Sequence, residues 1–328
     1  MSRIPTSKYL FIFPGQGSQY PGIGHDLYKK FVVVQKIYDQ ASQVLGYDIA
    51  ELSFQDPRAE INLTRFTQPV LLTHSIACLE AFREVTGQRI AASCAAGHSL
   101  GEYTALVAAG ALSFEAAVGL VGKRGDLMGR YGDGEMAAFP LDIDTVRPVA
   151  EAHYCAIAAC NLPEQTVLGG RGDDLDRVTE ELATDHPRRR ATRLKTEGAF
   201  HTYYMVEAAS RFRESLTSVA LVPPQIEVLS NFSGGIHDPD PERIKSKLFL
   251  QLFHPVLWHT NLLTAAEQNP TAIIEFGGGI GSGDTPDAKR PNLEGIVKKT
   301  YRGHPSPPTY HAVINERSLE PTAHAILE

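Results

Sequence analysis

Gly97-His98-Ser99-Leu100-Gly101-Glu102-Tyr103-Thr104 decides the reading of this chain. A run of small residues, Ala91-Ala92-Ser93-Cys94-Ala95-Ala96, precedes it and reads as a buried strand; Tyr103 to Ala109 follows as an alanine-rich helix. Strand, Gly-x-Ser-x-Gly, helix is the setting of a nucleophile elbow. A strand that turns sharply into a helix leaves no room for side chains beside the serine, which suits Gly97 and Gly101. The turn also aims the hydroxyl out of the sheet, towards the positive end of the helix. The plainer alternative is a glycine-bounded turn whose serine caps a helix.

Outward from that octet the pattern is α/β. Lys8-Tyr9-Leu10-Phe11-Ile12-Phe13 reads as a buried first strand, and it runs into Pro14-Gly15-Gln16-Gly17-Ser18-Gln19-Tyr20-Pro21-Gly22. So many glycines imply positive φ or a close backbone approach; no Gly-Lys-Ser/Thr follows to make a phosphate loop. Residues 25–45 carry helical periodicity, and Thr67-Gln68-Pro69 opens a second helix with proline in its first turn. A further helix, 113–128, carries Lys123 and Arg124 near its end. Arg124 is either a cation compensating the helix dipole or an anion clamp facing the serine.

From Met136 the texture changes to strand 136–139, helix 144–151, strands 155–161 and 165–170, helix 173–184 and strand 190–194. This β-α-β-β-α-β order is the ferredoxin-like signature. The expected organisation is a large α/β-hydrolase-like subdomain, residues 1–133 and 203–328, around a parallel sheet, with a ferredoxin-like small subdomain, 134–202, inserted. A helix over 204–216, a strand at 227–230, a helix near 244–252 and a last strand at 272–276 complete the large subdomain. The tail after Arg302, rich in proline and histidine, reads as loosely ordered.

Composition sets limits. The chain has 328 residues, 43% hydrophobic and 21% charged, with a net charge of −7, which argues against a nucleic-acid surface. No apolar run is long enough to span a bilayer. No signal peptide is evident at Met1-Ser2-Arg3-Ile4-Pro5, and Cys78, Cys94, Cys155 and Cys160 lack metal spacing. A cytoplasmic protein with reduced thiols, no metal and no cofactor is expected. Gly277-Gly278-Gly279-Ile280-Gly281-Ser282-Gly283 fails the dinucleotide fingerprint in either register.

Phe13-Pro14-Gly15-Gln16-Gly17-Ser18-Gln19, Thr67-Gln68-Pro69, the elbow octet, Lys123-Arg124-Gly125, Gly198-Ala199-Phe200-His201 and Pro255-Val256-Leu257-Trp258 occur in this order. Together they resemble the malonyl-CoA:acyl carrier protein transacylases of fatty acid and polyketide synthesis, over residues 8–299, with a leaning towards the discrete, trans-acting type. The resemblance implies Ser99 as nucleophile and His201 as base, oriented by a backbone carbonyl near Gln251. Backbone N–H groups of Gln16 and Leu100 would form the oxyanion hole. Arg124 would grip the malonyl carboxylate, with Gln68, Phe200, His98 and Asn161 along the acyl and pantetheine path and His98 as support rather than base. The implied partners are malonyl-CoA and a carrier protein bearing phosphopantetheine. A docking patch for the acidic carrier would draw on Arg189 and Arg190, or on Lys298 and Arg302. Two departures stand out: Gly278 replaces a proline of the family's final motif, and 281–292 reads as an insertion. Transfer of a non-malonyl group between carrier proteins, or editing hydrolysis of acyl carriers, are the alternatives.

Overall fold

A computed structural model describes residues 8–328; the segment Met1 to Pro5, read above for a leader, lies outside the described residues. Among the described residues nine strands form two sheets: β1 (Tyr9–Phe13), β2 (Cys94–Gly97), β3 (Glu135–Phe139), β4 (Ala156–Leu162), β5 (Gln165–Gly170), β6 (Thr192–Leu194), β7 (Glu227–Val228), β8 (Ala272–Phe276) and β9 (Thr309–Val313). The larger sheet has the order β7-β2-β1-β8-β9 and is parallel throughout. Its inner strands, Tyr-Leu-Phe-Ile-Phe in β1 and Ala-Ile-Ile-Glu-Phe in β8, are continuous rather than alternating because helices cover both faces. The smaller sheet, β4-β5-β3-β6, is antiparallel with a two-helix cover, the expected ferredoxin-like order.

Two long helices frame the site. Thr64–Thr86 is buried along most of its length and packs against Phe114–Tyr131. The first begins three residues before the Thr67 predicted from Pro69, so the proline lies inside the helix. Its N-terminus has no cap of its own; the Glu197 carboxylate, arriving from the end of the small sheet, accepts the Thr64 N–H.

The tail departs from expectation. Residues 309–313 form β9 at the edge of the parallel sheet, and Glu316–Leu327 is a helix with a complete capping box between Asn315 and Ser318. β8 is therefore not the last strand, and the tail is ordered by pairing and by burial of Leu319 and Ala323. The 281–292 insertion closes on itself through an Ile280–Arg290 bridge. It is anchored by Glu275, wholly buried in β8, which accepts the N–H groups of Asn292 (2.8 Å) and Leu293 (2.9 Å) and the Tyr310 hydroxyl. Burial lifts this carboxyl to about 7.

The two sheets are stitched together at one edge. Cys160 N–H donates to Val256 O (2.9 Å), and Val256 N–H donates to Ala158 O (3.0 Å), so the segment after Gln251 adds a parallel bridge to β4.

Candidate active site

Ser99 stands on the turn between β2 and the helix Gly101–Ala108, at φ 52°. A β-carbon on Gly97 would overlap the Gly101 carbonyl, and one on Gly101 would overlap Phe13 O. Both glycines are therefore required by close packing, and the strained serine φ is the price of exposing its hydroxyl. The elbow is held from behind. Ser99 N–H donates to Asn231 Oδ1 (2.6 Å), while Asn231 Nδ2 donates to Gly97 O (2.8 Å) and to Asn261 Oδ1 (2.9 Å).

His201 lies 102 residues further on, also at positive φ, 62°, in the turn after Gly198-Ala199-Phe200. Ser99 Oγ and His201 Nε2 are 2.7 Å apart, and His201 Nδ1 is 2.7 Å from Gln251 O. The carbonyl can only accept, so Nδ1 carries the proton and Nε2 is left free to take one from the serine. Burial and the neighbouring Arg124 charge push this imidazole down to about 3, so it is neutral, and ready as a base, throughout the physiological range.

Arg124 projects from the helix Phe114–Tyr131 into the same spot and is 0% exposed. One terminal nitrogen donates to Gln68 Oε1 (2.9 Å); the other donates to Ser99 Oγ (3.2 Å) and Gln251 Oε1 (3.0 Å). Its Nε–H has no partner, and among the described residues it forms no ion pair with a carboxylate. A buried cation served by amides, a hydroxyl and the face of the Tyr103 ring (5.4 Å to its centroid) is expensive unless an anion comes to it.

Gln16 sits in the loop after β1, where its side chain donates to Thr64 Oγ1 (3.2 Å). Neither its own N–H nor that of Leu100 bonds to another described residue, as required of free oxyanion donors. His98 Nε2 meets Asn161 Oδ1 at 2.9 Å, joining the elbow to the end of β4. Phe200 is buried beside the base. The sequence-predicted catalytic and acyl-side residues thus converge. Of the surface candidates, Arg189 pairs with Glu164 (2.8 Å) and Lys298 with Glu294 (2.6 Å), while Arg190 and Arg302 are exposed.

The model for the acyl transferase domain matches residues 10–277. The chain belongs to the acyl transferase family. This acyltransferase is 36% identical over 305 residues to the malonyl CoA-acyl carrier protein transacylase of Bacillus subtilis, covering 90% of this chain and 91% of that protein. It is 34% identical over 273 residues to the polyketide biosynthesis malonyl CoA-acyl carrier protein transacylase PksC of the same organism, covering 82% and 92%. The crystal structure of the transacylase from Clostridium perfringens superposes with a TM-score of 0.86 at 29% identity, over 98% of each chain. A malonyl-transacylase in complex with its type II polyketide synthase acyl-carrier protein gives 0.84 at 32% identity, over 97% of this chain and 100% of that one. No helix among the described residues is long and apolar enough to cross a membrane.

Behind the predicted residues of the acyltransferase lies a polar layer that the sequence did not reveal. Glu102, Asn231, His237, the Gln251 side chain and Asn261 are all buried and bonded to one another. Glu102 was visible inside the octet, but its partners lie 129 to 149 residues away. No periodicity links them.

Proposed function

We propose that the acyltransferase moves a malonyl-type acyl group from coenzyme A to the phosphopantetheine thiol of an acyl carrier protein through an ester on Ser99. The observation that carries this reading is Arg124, a fully buried guanidinium with no carboxylate partner, 3.2 Å from the serine oxygen. A carboxylated acyl chain on Ser99 supplies the missing anion, and planar, two-pronged pairing is the geometry arginine favours.

In the first half-reaction His201 Nε2 takes the Ser99 proton as Oγ attacks the thioester carbonyl. The oxyanion gathers the N–H groups of Gln16 and Leu100, worth about 10²–10³ in rate per donor. The tetrahedral intermediate collapses, the C–S bond breaks, and His201 returns the proton to the departing thiolate. The carrier thiol then enters, gives its proton to His201 and attacks the ester, and Ser99 leaves with that proton. One serine serving two similar half-reactions gives ping-pong kinetics. The named relatives are transacylases of this type, which supports the substrate pair. The small sheet is assigned residues 134–202, with Asn161 bordering the pantetheine arm.

The test is intact-protein mass spectrometry after brief incubation with malonyl-, methylmalonyl- or acetyl-CoA, alongside Ser99→Ala. A malonyl-sized adduct on the wild type alone is expected. No adduct from any ester, with Ser99 still reactive to a fluorophosphonate, refutes the CoA donor and favours an acyl-carrier substrate.

A further inference from the structure

Behind the base and the clamp sits a second buried charge that the reaction as written does not use. Glu102, in the first turn of the helix after Ser99, is 0% exposed. Its Oε1 faces His237 Nε2 at 2.6 Å, and its Oε2 accepts from Gln251 Nε2 (2.8 Å) and from Asn231 N–H (3.1 Å). His237 is equally enclosed, and its Nδ1 has no partner. A carboxylate oxygen accepts, so His237 donates through Nε2 and fixes the carboxylate in place.

The opposite charge lies on the far side of one amide. Gln251 Nε2 points to the Glu102 carboxylate and to Ser99 O (2.9 Å), while Gln251 Oε1 accepts from Arg124 (3.0 Å). An amide held between a carboxylate and a guanidinium has one favourable orientation. Flipping it would set NH2 against the guanidinium and oxygen against the carboxylate. The main-chain carbonyl of the same residue accepts the His201 Nδ1 proton. Gln251 thus touches all three working groups, and the Glu102 charge decides which way its side chain faces.

We propose that Glu102, backed by His237, is a positioning residue for acyl selection: it locks the Gln251 side chain so that its Oε1 holds Arg124 in register with Ser99. In a hydrolase the carboxylate touches the histidine directly; here it stands one residue behind the clamp. This inference rests on the malonyl reading of Arg124. A merely structural role, filling the core behind the elbow, makes a different forecast, because it would affect every acyl group alike.

The experiment compares Glu102→Gln, Gln251→Met, the double variant and Arg124→Ala, measuring kcat and KM for acylation by malonyl-CoA and acetyl-CoA, with Tm on the same samples. Glu102→Gln keeps the shape, removes the charge and puts an NH2 in place of one acceptor oxygen, which His237 meets by moving its ring proton to Nδ1. It is expected to lower malonyl kcat/KM about 10-fold to 100-fold, acetyl kcat/KM much less, and Tm little. Gln251→Met should shift the malonyl:acetyl ratio the same way, and the double variant should lose no more than the worse single one, since both break one connection. A folded Glu102→Gln with the wild-type ratio overturns the proposal, as does an equal loss for both esters. If Glu102→Gln does not fold, an unchanged ratio in Gln251→Met overturns it instead. Arg124→Ala separates the two levels: an unchanged ratio there refutes the clamp itself. An altered ratio there, with both other variants unaltered, refutes only the positioning role.

Discussion

Replacing Arg124 by methionine should shift two properties of the enzyme at once, its acyl preference and the titration of its base. The wild-type guanidinium is wholly buried, makes three side-chain hydrogen bonds, and leaves Nε unpaired. A malonyl carboxylate gaining two charge-assisted bonds from it gains about 3–5 kcal/mol, taking roughly 1.5–3 kcal/mol for each and discounting for shared desolvation. Losing that in the transition state lowers malonyl kcat/KM by about 10²–10⁴, since each 1.36 kcal/mol is tenfold. Acetyl transfer gains nothing from the clamp and should fall far less, bringing the two substrates to near parity. Stability should fall modestly: relief of the guanidinium's desolvation is offset because the buried Glu102 carboxylate loses the opposite charge across Gln251 and the carbonyl oxygens of Gln68 and Gln251 lose their donor. Arg124 also holds the His201 imidazole down, so the variant's base should titrate higher than in the wild type. The assay is acylation by each CoA ester at several pH values, read by intact mass, with thermal unfolding in parallel. Retained malonyl preference would refute the account of Arg124 as a cation awaiting its anion.

Other outcomes follow from the same geometry. Because His201 is lowered from 6.5 to about 3, malonyl kcat/KM should show no inflection near pH 6.5; a fall centred there would contradict the buried neutral base. His74 is likewise buried and lowered to about 4, so in both cases the unfolded chain binds a proton that the folded one refuses. Their contribution to stability is intact above pH 6.5 and is lost as pH falls below it, by up to about 1.4 kcal/mol per pH unit for each group; denaturant titrations from pH 7.5 to 4.5 measure the slope. Gly97→Ala should cost about 3 kcal/mol or more, or prevent folding, because the new methyl meets the Gly101 carbonyl; an active, stable variant would undo the elbow argument. Glu197→Ala uncaps the helix Thr64–Thr86 and should lower stability by about 1 kcal/mol in urea unfolding.

The elbow was legible because its signals are local. Glycine, serine and an alanine-rich helix within eight residues leave few alternatives, and the apolar run of β1 permits only a buried strand. The Gln251 carbonyl was within reach only through family likeness, since any residue type carries a carbonyl. What could not be read is what depends on distant polar partners: Glu102 and His237 look like ordinary surface residues until burial brings them 2.6 Å apart. The tail misled for a related reason. Thr309-Tyr-His-Ala-Val is half-polar because it is an edge strand with partial exposure, and its prolines precede the strand rather than interrupt it. Pro69 misled because a proline most often marks a first turn, whereas here the helix begins earlier under a cap supplied from 133 residues away.

The Val256 bridge bears on how such enzymes are recombined. The small sheet is not a detachable cover. Its β4 edge is occupied by a segment that begins five residues after Gln251, whose carbonyl bonds His201 Nδ1. A chimera that exchanges residues 134–202 alone would pair a foreign edge with the native Pro255-Val256-Leu257, and any mismatch would be transmitted along the chain to Gln251 and the base. Grafts intended to alter acyl or carrier preference should therefore carry the discontinuous unit, small sheet and strap together, as a single inherited part.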